Sequence, residues 1–321
     1  MSHIYVYSPS SAHRDKAALR RGVARLEALG HTVELDRDAL ATEMRFAGDD
    51  AIRLAAIHRA AASGADVAMT TRGGYGLSRL LGAIRYKAIA KAIERGTQFV
   101  GLSDFTALQS ALLAKTGAVS WMGPAVEADF GVLDAPDEIM QSCFDDLLLG
   151  QGEGAGWRLP AVRPPKAPRA SAEGAGDSLS APSEPRSVRN ATLWGGNLCV
   201  LCSLMGTPYF PQVRGGVLVL EDVAEHPYRV ERMLSQLLHA GVLARQKAIV
   251  LGQFTGYQLA PHDRGYRLQT AVDWIRSQIK VPVLGNLPFG HVPTKVLLPV
   301  GASVDLLVDG RDAMIYWGGR D

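Results

Sequence analysis

Short apolar runs alternate with stretches of helical period, and that alternation constrains the fold more than any other feature. His3-Ile4-Tyr5-Val6-Tyr7 opens as a strand. From Ala17 to Leu29, the residues Leu19, Val23 and Leu26 share one helical face, and Gly30 ends the helix. Thr32–Leu35 is a weaker strand, and Asp49–Ala62 a helix capped at Gly48-Asp49. Asp66–Thr70 reads as a strand running into Arg72-Gly73-Gly74-Tyr75-Gly76, followed by helical sequence from Ser78 to Arg95. Gln98–Val100, Asp104–Lys115 and Ala118–Trp121 then read as strand, helix and strand. Such alternation predicts a parallel sheet with helices on both faces and its site at the carboxyl ends of the strands.

The pattern breaks after Trp157. From Pro160 to Arg189, 19 of the 30 residues are Pro, Ala, Ser or Gly and none is aromatic, so little apolar area offsets the entropy of ordering them. Beyond it come apolar runs at Gly216–Leu220 and Ala248–Leu251 with a helix from Tyr228 to Ala240 between them. Val296–Leu298, Val304–Val308 and Ala313–Tyr316 complete a strand-rich tail. The expected fold class is α/β. An N-terminal parallel-sheet sandwich over residues 1–157 precedes a Pro/Ala/Ser-rich linker over 158–190, and a mixed, β-rich α/β domain covers 191–321.

Charge and composition narrow the function. Lys and Arg number 34 against 32 Asp and Glu, a net charge of +2, which speaks against nucleic acid as a partner. No run of ~18 apolar residues would span a membrane, and Ile4–Tyr7 is too short for a signal-peptide core of ~7–15 residues, so a cytoplasmic location is expected. Three cysteines (Cys143, Cys199, Cys202) make no disulfide framework. Cys199-x-x-Cys202 is read as two buried thiols rather than a redox pair. The histidines form no metal-binding spacing, so neither a metal nor a cofactor is expected.

Chemistry is carried by a few segments. In Val100-Gly101-Leu102-Ser103-Asp104-Phe105-Thr106 a strand ends, a Ser follows and a helix begins. Ser103 is either a helix cap or a nucleophile on a strand-to-helix turn, with the next amide stabilising an oxyanion. Phe105 stands where the G-x-S-x-G pattern requires its second Gly. Arg72-Gly73-Gly74-Tyr75-Gly76 is either a tight turn or a loop whose amides approach a ligand. Glu221-Asp222 ends a strand, and His291 follows Gly290 in a turn.

Taken together, Arg45-Phe46-Ala47-Gly48, Arg72–Gly76, Gly101–Thr106, Leu193-Trp194-Gly195-Gly196-Asn197-Leu198, Leu220-Glu221-Asp222 with Glu225–Met233, and Phe289-Gly290-His291 resemble the L,D-carboxypeptidases, or muramoyltetrapeptide carboxypeptidases. The resemblance covers nearly the whole chain outside Pro160–Arg189. It implies a serine peptidase with Ser103 as nucleophile, His291 as general base and Glu221 as orienting carboxylate. The oxyanion hole would be the backbone amides of Gly74 and Asp104. Ser103 would come from the first domain and Glu221 and His291 from the second, in an enzyme commonly homodimeric. The implied reaction releases terminal D-alanine from murein tetrapeptides in cell-wall recycling. Arg72 is a candidate for the substrate's free carboxylate, or else a structural ion pair.

Two other functions fit parts of the pattern. A related self-immunity peptidase acting on a microcin-type peptide–nucleotide antibiotic would share the triad, with Trp194 either stacking on a nucleobase or serving as a buried structural residue. A non-catalytic α/β ligand-binding protein would use Ser103 only as a cap.

Overall fold

The computed structural model describes residues 1–161 and 186–318. The first half builds β1 (His3–Tyr7), α1 (Lys16–Ala28), β2 (Thr32–Leu35), α2 (Asp50–Ala62), β3 (Val67–Thr70), α3 (Tyr86–Glu94), β4 (Gln98–Gly101), α4 (Thr106–Thr116), β5 (Ser120–Met122) and α5 (Glu138–Leu149). The helix starts follow local chemistry: the Asp15 side chain accepts from Ala17 N, and that of Asp49 from Ile52 N. Gly117, in the left-handed region at φ 71°, ends α4.

The second half adds β6 (Gly154–Arg158), β7 (Arg186–Asn197), α6 (Leu198–Ser203), β8 (Val217–Val223), α7 (Pro227–His239), β9 (Ala248–Thr255), α8 (Leu268–Gln278), β10 (Val283–Leu284), β11 (Leu298–Val300), β12 (Ser303–Asp309) and β13 (Asp312–Tyr316).

Two sheets result. The first runs β2-β1-β3-β4-β5-β11, with β1 to β5 parallel and β11 antiparallel to β5. Its central strands are buried on both faces, because alternate side chains enter opposite helical layers, while the edge strand β2 is largely exposed. Ile4, Val6, Val67 and Met69 pack with Leu19 and Leu26 of α1, whereas Tyr5, Tyr7 and Ala68 pack with Ile57 of α2. The second sheet runs β10-β9-β8-β7-β12-β13-β6, parallel from β10 to β7 and antiparallel beyond. One apolar core is continuous from Phe99 and Leu108 of the first half to Leu198, Leu218 and Ile249 of the second.

Composition misplaces the division between the halves. Strand β6, expected in the first domain, pairs with β13 in the second sheet, Trp157 opposite Ala313. Strand β11, from the far end of the chain, closes the first sheet by pairing Leu298 with Met122. Strand β7 begins at Arg186, inside the expected linker, because Val188 finds Leu306 across the β12 ladder. The rest of that linker, residues 162–185, lies outside the described residues. Among the described residues no helix is long and apolar enough to cross a membrane.

Candidate active site

Ser103 follows β4 directly, at the carboxyl edge of the first sheet. Its φ is 67°, the left-handed region that a non-glycine residue rarely occupies, and it opens the single turn Ser103–Phe105 that leads into α4. This is a strained strand-to-helix turn that holds the hydroxyl up from the sheet. Gly101 permits the turn: a Cβ there would stand 2.5 Å from the Phe105 ring. Phe105 is therefore packing beneath the turn, which is why no second glycine is needed.

The glycine loop lies against this turn. A Cβ on Gly73 would stand 2.7 Å from Ser103 Cβ and 3.0 Å from its Oγ, so the loop backbone touches the Ser side chain. Gly74, at φ 113°, could not carry a Cβ without striking Ser11 Oγ. The buried Asp104 side chain fastens the assembly, accepting from Ser10 Oγ at 2.7 Å and from Leu77 N at 2.9 Å. Burial pushes its carboxyl pKa up, against those two hydrogen bonds and the nearby Arg53. Arg53, fully buried, donates to Gly76 O at 2.9 Å, pairs with Asp50 and lies over the Phe46 ring at 4.7 Å. The Arg45–Gly48 segment thus supports the glycine loop from behind.

Glu221 and His291 come from the second half. Glu221 lies in β8 with a side chain 0% exposed, and its Oε2 is 2.8 Å from His291 Nδ1. An ionised carboxylate only accepts, so in this contact an ionised Glu221 would place the imidazole proton on Nδ1. Glycine makes the approach possible: a Cβ on Gly290, at φ 129°, would stand 3.1 Å from Glu221 Oε2. Asn197 Nδ2 donates to Glu221 Oε1 at 3.2 Å and to Asp222 Oδ1 at 3.0 Å. Burial, with Glu221 alongside, pushes the Asp222 pKa up to about 6 despite the amides of Val223 and Cys199 donating to it.

Contacts between the halves set the two groups against each other. Asn197 N donates to Thr106 Oγ1 at 3.0 Å, and a Cβ on Gly196 would stand 2.5 Å from that oxygen. The Gly-Gly-Asn segment therefore docks on the helix that Ser103 begins. After His291, Thr294 Oγ1 donates to Asp137 Oδ2 at 2.5 Å and Lys295 Nζ to Asp129 Oδ1 at 2.5 Å, pinning the His loop to the first half. Leu102 and His291 line one cavity of about 420 Å³ with Asp129, Asp137 and Lys295. Among the described residues no hydrogen bond joins Ser103 Oγ to His291. The contact the structure closes is the one between Glu221 and His291.

One residue departs from expectation, and the burial of others narrows the alternatives. Cys202 is buried but Cys199 is exposed, because only the 198, 201 and 202 positions of α6 face the core. Trp194 is 1% exposed, with Nε1 donating to Gln246 Oε1 at 3.0 Å and Phe210 edge-on to its ring, so no face remains for a nucleobase. Lys295 and Asp129, 166 positions apart, carry no local sign of their pairing. Among the described residues no group of three His, Cys, Asp or Glu side chains could hold a metal ion.

The two α/β halves thus bring a buried Glu–His pair from one and a strained Ser turn from the other into one molecule. The LD-carboxypeptidase N-terminal domain matches residues 4–123 and the C-terminal domain residues 190–306, and the chain belongs to that family. It is similar to the crystal structure of muramoyltetrapeptide carboxypeptidase from Oxalobacter formigenes, with 34% identity and a TM-score of 0.82 over 99% of each chain. The murein tetrapeptide carboxypeptidase of Pseudomonas aeruginosa is 30% identical over 73% of this chain and 70% of its own length. The microcin C7 self-immunity protein MccF of Escherichia coli is 27% identical over 77% of this chain and 72% of its own.

Proposed function

We propose that this chain is a serine-type L,D-carboxypeptidase that releases terminal D-alanine from murein tetrapeptides. The observation that carries the reading is the buried Glu221 carboxylate 2.8 Å from His291 Nδ1, in a loop that shares a cavity wall with the residue preceding Ser103. A Ser that merely capped a helix would need no such base.

In this reading His291 Nε2 takes the Ser103 proton as Oγ attacks the carbonyl before D-alanine. The tetrahedral oxyanion is held by the amides of Gly74 and Asp104, each worth about 3 kcal/mol. The imidazolium, stabilised by Glu221, then protonates the departing amine. Water, activated by the same histidine, hydrolyses the acyl-enzyme. The relatives named for murein tetrapeptides favour that substrate, and the burial of Trp194 removes the feature that pointed to a nucleotide conjugate. The family resemblance extends the reading to cytosolic cell-wall recycling and to a homodimer.

The test is mass spectrometry of murein tetrapeptide incubated with wild-type and Ser103→Ala protein. Loss of one D-alanine in the wild-type sample alone is expected. An unchanged tetrapeptide, beside turnover of a peptidyl-adenylate analogue, would give the self-immunity reading instead.

A further inference from the structure

We propose that the Arg72 guanidinium is the specificity-determining ligand for the free carboxylate of the departing C-terminal residue. This rests on the reading of Ser103 as nucleophile.

A peptidase that removes one terminal residue must hold a carboxylate close to the bond it cuts. One residue spans about 3.3–3.6 Å of extended chain, and a charge-assisted N–H···O bond adds about 2.8 Å. The cation must therefore adjoin the nucleophile itself. Arg72 is next in the chain to Gly73, on which a Cβ would stand 3.0 Å from Ser103 Oγ, and Arg72 Nη1 is 3.6 Å from the position a Gly74 Cβ would take.

Its donors are also available. Nη1 donates to Ala12 O at 2.8 Å, but Nε stands 3.8 Å from Glu127 Oε1, too far for a hydrogen bond. The other Glu127 oxygen is engaged by His13 Nδ1 at 2.8 Å. Arg59 on Asp36 shows the closed, bidentate form of such a pair, at 2.7 and 2.8 Å. Among the described residues Nε and Nη2 of Arg72 make no hydrogen bond, and the side chain is only 15% exposed. Burial pulls its pKa down, Arg14 and Arg45 act in the same direction, and Glu127 opposes them. Lys295, the cation in the adjoining cavity, is bound to Asp129 at 2.5 Å and has no such freedom. The planar guanidinium matches a carboxylate in two parallel bonds, which a lysine cannot reproduce.

The test compares murein tetrapeptide ending in free D-alanine with the same peptide ending in D-alanine carboxamide. The full chain is used as wild type, Arg72→Met and Arg72→Gln, with fluorophosphonate labelling measured alongside. Wild type should favour the acid over the amide in kcat/KM by roughly 10- to 100-fold, the worth of a hydrogen bond to a charged group. Both variants should bring that ratio close to one, with labelling retained. Because the ratio is taken within each preparation, loss of folded protein cancels. A variant that keeps the wild-type ratio overturns the proposal, and so does a wild type that cleaves both peptides equally. Wild type that is labelled but cleaves neither peptide overturns the murein reading, and this proposal with it.

Discussion

Glu221 Oε2 lies 2.8 Å from His291 Nδ1 although 70 positions separate the two residues. The pair forms because β8 ends at the same edge from which the chain crosses to the first sheet. His291 sits between β10, in the second sheet, and β11, in the first. His291 is thus carried by the segment that joins the two halves, and its position depends on how firmly that segment is held.

Replacing the carboxylate alone should disable the histidine. Glu221→Gln keeps the shape of the side chain but offers an amide that can donate to Nδ1 and turn the proton onto Nε2. A drop in kcat of about 10⁴-fold is expected, by analogy with the same change in other triads. Tetrapeptide turnover, with circular dichroism to verify the fold, measures it. A variant within tenfold of wild type would show that the pair is structural.

Lys295→Met should destabilise the protein strongly. The Lys295 and Asp129 side chains are 3% and 4% exposed, so removing the cation leaves a buried, unpaired carboxylate. Losses of this kind run to about 3–5 kcal/mol. The Lys295→Met/Asp129→Asn double variant should recover part of the loss, because no bare charge remains. Urea denaturation of both variants tests this, and equal losses would deny the coupling.

The sequence makes the first sheet readable and hides the joint between the halves. His3–Tyr7 and Thr32–Leu35 are strands with the bounds their apolar runs suggest, because each is bracketed by helix signals of its own. Ser103, Glu221 and His291 are recognisable only as a set, since each alone has an ordinary local explanation. The Thr106–Asn197 and Lys295–Asp129 contacts have no periodic signature and join residues 91 and 166 positions apart. Helix α5 has Met140, Phe144 and Leu147 on its buried face and Asp137 as cap. The signal is present there, but the strand that follows, β6, reads Gly-Ala-Gly-Trp-Arg and has no apolar run to mark another α/β unit.

Asp222 should give stability a measurable pH dependence. Its pKa, about 6 in the fold, exceeds the ordinary carboxylate value of 3.8, so the native state holds the proton more tightly than the unfolded chain. The native state therefore loses stability as pH rises from about 4 to about 6, by roughly 3 kcal/mol from this group. Asp222→Asn has no proton to lose. Between pH 4 and pH 7 its stability, measured by urea denaturation, should improve relative to wild type by that amount. A gap that does not change with pH would mean Asp222 ionises as freely in the fold as outside it.

The central claim is that Ser103 is activated by the His291–Glu221 pair, and labelling by a fluorophosphonate followed by peptide mass mapping tests it most directly. The adduct should lie on Ser103 in the wild-type protein, be absent from Ser103→Ala, and fall sharply in His291→Ala although Ser103 is still present. An adduct on another residue, or labelling of Ser103 that is indifferent to His291, would contradict it.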